Sequence, residues 1–373
     1  MRKKILIVSR SFYPENSPRS FRTTELVKEF CCQGHDVTLL TNERNYDYSG
    51  FLKQYPVKIK YFDKLRFKRF QSKNNKGLFV DFPRKFGRLL FMLFNYPDIE
   101  LLWLVKRALK QESGYDLMIS VAVPYPVHWG VACGRSAKHI IANTWVADCG
   151  DPYYFNTLES FKIPFYFAWV EKWFSRKTDY ISIPFESLLD SFFSEFHSKI
   201  KIIPQGFNFS EILISHQEPA NEKVTFAYAG GVSSAGVRSP LKLIDKLLQS
   251  DFDFIFHIFA TTGIDLVEKY SDLSGGRIVL HKAVPRTELL PFLSKMDFLV
   301  NLLVAGTETK QVPSKLIDYS LTGRPVINID PLNPDMELIA KFLNKDYSKA
   351  YYVPDIEQYN IKNVANQFLL LAK

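Results

Sequence analysis

Pro313-Ser314-Lys315-Leu316-Ile317-Asp318-Tyr319-Ser320-Leu321-Thr322-Gly323-Arg324-Pro325-Val326 reads as a helix followed at once by a strand. Pro313 pre-sets the backbone for a first helical turn, and Ser314 is a capping residue type. Leu316, Tyr319 and Ser320 follow at helical spacing, Gly323 stops the helix, and Pro325 opens the apolar run Pro325–Ile329. Another apolar run, Phe298–Leu302, precedes the helix. Strand, helix and strand in succession make a crossover unit of a parallel sheet.

The same alternation extends in both directions. Upstream of this unit lie the strand candidates Thr225–Ala229, Phe254–Phe259 and Arg277–His281, with a helix at Leu241–Leu248. Before them Pro204-Gln205-Gly206 and the polar stretch Ser215–Lys223 punctuate the chain. The first half repeats the pattern, with strands expected at Ile5–Val8, Asp36–Leu40, Val57–Phe62, Leu117–Val121, His139–Ala142, Tyr180–Ile183 and Lys199–Ile203. Helices are expected at Thr23–Gln33, Lys85–Lys110 and Pro164–Lys177. The 373 residues suit two domains, placed at 1–205 and 206–373, with the last helix free to return to the first. The expected fold class is α/β, two doubly wound domains facing across a cleft. Ligands of such sheets bind beyond the carboxyl ends of the strands.

Phosphate-binding signals are selective. No G-x-x-x-x-G-K-[ST] run is present, and the loop after the first strand, Ser9–Pro18, contains no glycine, so neither a P-loop nor a dinucleotide fingerprint opens the first domain. The second domain opens with Phe226-Ala-Tyr-Ala-Gly230-Gly231, a strand ending in glycines that allow close backbone approach or serve a turn sterically. Lys315 in the first turn of a helix works against the dipole unless an anion is bound, which marks a diphosphate site; the alternative is an exposed lysine on a surface helix.

Composition narrows the class further. Hydrophobic residues make up 46% and charged residues 23% of the chain, which excludes disordered and disulfide-scaffold proteins. The four cysteines have no metal-ligand spacing and suit a reducing cytosol. No apolar run approaches the roughly 20 residues of a spanning helix. Net charge is +9, and residues 51–96 account for it: twelve Lys and Arg stand there against Asp63 and Asp81 alone. Phe62, Phe67, Phe70, Phe79, Phe82, Phe86, Phe91 and Phe94 are interleaved with them. Basic and aromatic residues together suit an anionic membrane surface. They also suit nucleic acid, or a solvated face over a Phe-rich core. The membrane is the expected partner, with no nucleic acid.

Several blocks, in this order, resemble glycosyltransferase family 4, the retaining transferases of the GT-B fold. Ile5–Asn16 is similar to the family's opening strand and "FYPP" loop, and Arg22–Thr41 to its first helix and second strand. Trp145-Val-Ala-Asp148-Cys-Gly150-Asp151-Pro152 resembles "W…D.RDP", and Lys201–Asn208 resembles "IPNGFD". Pro313–Val326 resembles the "PSKLFEYLAAGRPV" block of members that build cell-surface polysaccharides. The resemblance implies a nucleotide-sugar donor as co-substrate, a glycan or lipid-linked acceptor, retention of configuration, and neither cofactor nor metal. It implies a cytoplasmic protein held peripherally on the inner face of the cell membrane.

The same resemblance implies site residues. Asp318 stands where the family's carboxylate meets the nucleotide ribose, while Lys310 replaces the carboxylate that faces the donor sugar, with Glu308 nearby. Gly306–Thr309 would line the sugar, and Pro313, Ser314, Lys315 and Leu316 would hold the diphosphate. Gly230 and Gly231 end the second domain's first strand, Gly231 stands in place of the family's Arg, and Arg238 is the nearest cation that would serve instead. Asp148 and Asp151, read as following a strand, and His128 are the candidates for contact with the acceptor hydroxyl; capping and core roles are their alternatives. Gly150 replaces the Arg of "RDP". These departures favour an alternative reading, a degenerate relative that binds nucleotide sugar or a partner without turnover.

Overall fold

The computed structural model describes residues 1–67, 81–156, 163–211, 214, 218–233, 239–303 and 312–372, with backbone alone at 81–85. The chain forms two compact units, Met1–Asn208 with Gln358–Lys373, and Phe209–Glu357.

The first unit runs β1 (Lys4–Ser9), α1 (Pro18–Cys32), β2 (Asp36–Thr41), α2 (Ser49–Gln54), β3 (Lys58–Tyr61), α3 (Asp81–Phe94), α4 (Glu100–Leu109), β4 (Tyr115–Ala122), α5 (Pro126–Gly134), β5 (Ala142–Cys149), α6 (Tyr166–Lys177), β6 (Tyr180–Ile183) and β7 (Ile200–Ile202). Its seven strands are parallel in the order β3-β2-β1-β4-β5-β6-β7. Ile5 to Val8 and Leu117 to Ile119 are wholly buried, because helices cover both faces of a parallel sheet and leave no polar side. Ser17 caps α1 by accepting from the Ser20 amide, with Pro18 in the first turn.

Two sequence expectations are corrected here. The fifth strand is Ala142–Cys149 rather than His139–Ala142, so Asp148 lies inside a strand and not after one. The single helix expected over Lys85–Lys110 is two, α3 and α4: Asn95 takes a left-handed φ of 56°, and Pro97 has no amide hydrogen to continue the ladder.

The second unit runs β8 (Val224–Gly230), α7 (Leu241–Leu248), β9 (Phe254–Ala260), α8 (Ile264–Leu273), β10 (Ile278–Lys282), α9 (Arg286–Leu293), β11 (Phe298–Leu302), α10 (Ser314–Leu321), β12 (Val326–Ile329) and α11 (Met336–Leu343). Its parallel sheet has the order β10-β9-β8-β11-β12, doubly wound like the first. Phe226 stacks on Phe256 and Phe298 at 4.5 and 4.6 Å across three neighbouring strands. Gly323, at a φ of 71°, ends α10.

The last helix, α12 (Ile361–Leu371), belongs to the first unit, where Ile361, Val364, Ala365 and Phe368 share a core with Leu26, Val27 and Phe30 of α1. Gly206 permits this approach, since a Cβ there would stand 2.5 Å from Ile361.

Candidate functional site

The strand order of the second unit reverses direction at β8, where β9 lies on one side and β11 on the other, so its ligand crevice is expected at the carboxyl ends of β8 and β11. β8 ends at Gly230, followed by Gly231. A Cβ on Gly230 would stand 2.6 Å from the Tyr228 hydroxyl, and one on Gly231 2.8 Å from Thr262 Oγ1. The glycines therefore let the strand end fold back on its own side chains: the Tyr228 hydroxyl donates to the Gly231 carbonyl at 2.8 Å.

α10 follows β11, so its N-terminus rises at this same edge. Two contacts tie it to the end of β8. The Ala229 amide donates to the buried Tyr319 hydroxyl at 2.8 Å, and the Lys315 ammonium lies 4.9 Å from the Tyr228 ring centroid, a cation–π pair. Pro313 occupies the cap position without a side-chain cap bond, and Ser314 begins the helix rather than capping it. The leading amides of a helix have no intrahelical acceptor and carry the positive end of its dipole. Leu316 is buried beneath them.

Asp318, half-buried one turn on, accepts from Arg286 Nε at 2.7 Å. Burial pushes its carboxyl above the usual range, and Arg286 offsets this only in part. Gly230, Gly231, Pro313, Ser314, Lys315, Leu316 and Asp318 thus belong to one edge of one sheet. Arg238, Glu308, Lys310 and Gly306–Thr309 lie outside the described residues.

In the first unit the three candidates part company. Asp148 is buried near the end of β5; Arg22 of α1 grips both its oxygens at 2.9 and 3.0 Å, and the Ser182 hydroxyl donates at 2.8 Å. Burial pushes its carboxyl up, but Arg22 and Ser182 outweigh that and hold it below the usual range. Arg22 also donates to the carbonyls of Ile203 and Pro204, so Asp148 acts through a packed network.

His128 is wholly buried, bonded through Nδ1 to Ser120 Oγ at 2.8 Å and facing Cys149 Sγ at 3.5 Å. Burial lowers it to about 3 and keeps it neutral; it is a core imidazole. Asp151 is half-exposed, pairs with Arg19 Nη2 at 3.2 Å, and its carbonyl accepts from the Tyr125 hydroxyl. Of the three, Asp151 is the one a ligand can reach. A polar cavity of about 520 Å³ opens elsewhere at the carboxyl edge, lined by Asn42, Glu43, Arg44 and Asn45 after β2 and by Lys64 and Leu65 after β3.

Among the described residues no cluster of three metal-ligating side chains is present, and no helix is long and apolar enough to cross a membrane. Sequence reasoning missed Arg19, Arg22 and Arg286. The local signals are Arg22 at the head of the block similar to the family's first helix and the Pro285-Arg286 start of a helix in the unit that carries Asp318.

No family model and no curated protein matches this chain. Solved structures do. The chain is similar to the lipopolysaccharide outer core galactosyltransferase WaaB, at 14% identity and a TM-score of 0.54, with 98% of this chain and 99% of that one covered. It is similar to HepE of Anabaena, solved with UDP and glucose, at 13% identity and a TM-score of 0.55, covering 100% and 97%. A UDP-N-acetylglucosamine 2-epimerase is similar at 10% identity and a TM-score of 0.53, covering 99% and 95%. These likenesses establish the GT-B fold.

Proposed function

We propose that this chain is a glycosyltransferase of the family 4 type, which moves a sugar from a nucleotide-sugar donor to a glycan or lipid-linked acceptor with retention and without a metal. The observation that carries this reading is the donor-side constellation at the carboxyl edge of the second unit. Asp318 accepts from Arg286, Lys315 rests on Tyr228, and the N-terminus of α10 lies beside Gly230 and Gly231. A carboxylate suits two vicinal ribose hydroxyls, while a helix N-terminus with a lysine suits a diphosphate and its developing charge. Arg238, Glu308 and Lys310 complete the proposed donor set. Asp151 is the proposed polar contact for the acceptor, with Asp148 holding the frame around it. The first unit, by this reading, is held on an anionic inner leaflet through residues 51–96.

Calorimetry with a nucleoside diphosphate tests the donor site. Asp318→Ala should weaken binding by about 1.5–3 kcal/mol, the scale of a charge-assisted hydrogen bond. Lys315→Ala should weaken the diphosphate more than the nucleoside. Unchanged affinity in folded Asp318→Ala would overturn the assignment.

A second reading, binding without turnover, draws on Gly150, Gly231 and Lys310, the positions that depart from the family pattern. Nucleotide release from a panel of donors separates the two.

A further inference from the structure

We infer that α3 lies along the headgroup region of an anionic bilayer, with the start of α6 beside it as a second anchor. This rests on the membrane attachment proposed above and assigns the surface that makes it. Residues 86–94 of α3 read Phe-Gly-Arg-Leu-Leu-Phe-Met-Leu-Phe, with one charge in nine positions, yet none of the nine is buried. Phe86, Leu89, Phe91 and Phe94 are 41–58% exposed. The next helix behaves differently: α4 buries Leu101, Leu104, Val105 and Leu109. The charged positions of α3, 81, 84, 85 and 88, recur at helical spacing and leave the rest of the helix apolar, the pattern of a helix that lies in an interface, and one of this length is marginal alone in water.

Its length decides how it meets the lipid. Fourteen residues make a helix of about 21 Å, short of the roughly 30 Å hydrocarbon core, so α3 lies in the interface and does not span it. Its end is rooted in the first unit. Asn95, buried at the break after α3, donates to the Tyr153 hydroxyl at 2.8 Å, and the Tyr166 hydroxyl of α6 donates to the Leu93 carbonyl. That last bond brings Phe165 and Trp169 beside α3; they are 76% and 78% exposed, one turn apart on a common face.

Charge selects the occupant. Residues 51–96 carry a surplus of ten positive charges, and α3 itself contains Arg84, Lys85 and Arg88 against Asp81. A second copy of this chain meeting the same face would bring like charge to like charge, whereas an anionic leaflet is complementary.

The test uses the full chain with vesicles of phosphatidylcholine, alone or mixed with phosphatidylglycerol. Binding should require the anionic lipid, and brominated acyl chains should quench a fluorescence component that Trp169→Phe removes. The exposed-site variant Phe94→Ser/Trp169→Ser should keep its circular dichroism and melting temperature yet partition roughly tenfold or more weaker at raised salt, where apolar insertion remains. Anionic binding with unquenched Trp169 and an unaffected variant would overturn this inference and leave purely electrostatic attachment. No binding to anionic vesicles would overturn both. A concentration-dependent dimer abolished by the variant would assign the face to a second copy instead.

Discussion

Arg22 and Asp148 form a two-pronged ion pair inside the first unit, with contacts of 2.9 and 3.0 Å between residues 126 positions apart. Both are at most 4% exposed. Removing one partner strands a buried charge, so Asp148→Asn should cost about 3–5 kcal/mol in urea denaturation. Replacing both by apolar residues should cost less. The carboxyl is held below its usual value, so its stabilisation is complete above the unfolded pKa of about 3.9 and is lost as pH falls through the folded one. The gap between wild type and Asp148→Asn should therefore close below about pH 4.

Glu171 carries the opposite sign. It is 1% exposed, one oxygen accepts from the Tyr154 amide at 2.9 Å, and the other has no hydrogen-bond partner among the described residues. Burial raises the carboxyl from 4.5 to about 7. The folded state therefore prefers the protonated acid, and stability falls as pH rises from 4.5 through 7. Glu171→Gln should stabilise the protein by about 2–3 kcal/mol above pH 7 and change little below pH 4.5. Thermal unfolding at both pH values checks it.

His257 and His281 meet at 2.8 Å in the second unit, between Nδ1 and Nε2, against the ring of Phe292. Burial and the neighbouring imidazole lower His257 from 6.5 to about 4. Its stabilisation is complete above pH 6.5 and drains away as pH falls towards 4. His257→Asn retains an amide near the Nδ1 position and does not titrate there. Its unfolding free energy should be flatter across that window, as denaturation at stepped pH would show.

What the sequence makes legible follows from burial. Parallel strands covered on both faces become largely apolar runs, so Ile5–Val8, Phe254–Phe259 and Phe298–Leu302 announce themselves, with His257 and Asn301 the single polar residues of the last two. β5 does not, because Asn143, Thr144 and Asp148 interrupt it; Thr144 and Asp148 are nonetheless buried, and Asp148 is neutralised by Arg22 from far along the chain. The α3–α4 break escapes because helical periodicity continues past Pro97. The proposed donor edge is read from Pro313–Asp318, where one local block supplies the helix start, the lysine and the carboxylate. Arg286, Arg22 and Arg19 are not, since their partners lie 32, 126 and 132 residues away.

Arg19 provides the sharpest test of the proposed acceptor side. Gly150 stands where the resembled family carries an arginine, and a Cβ on Gly150 would overlap the Arg19 guanidinium. The glycine thus makes room for a cation that reaches in from α1 and pairs with Asp151 at 3.2 Å. Gly150→Ala should push Arg19 aside at a cost of about 1 kcal/mol in stability, because the displaced atoms are the far end of a flexible side chain that is 19% exposed. Sugar transfer, read as nucleotide release, should fall about ten- to a hundredfold, the loss of one charge-assisted contact. Arg19→Ala should fall equally, and the double variant no further, since both changes empty the same place. Additive losses in that cycle, or full activity in Gly150→Ala, would mean that the Arg19–Asp151 pair has no part in the reaction.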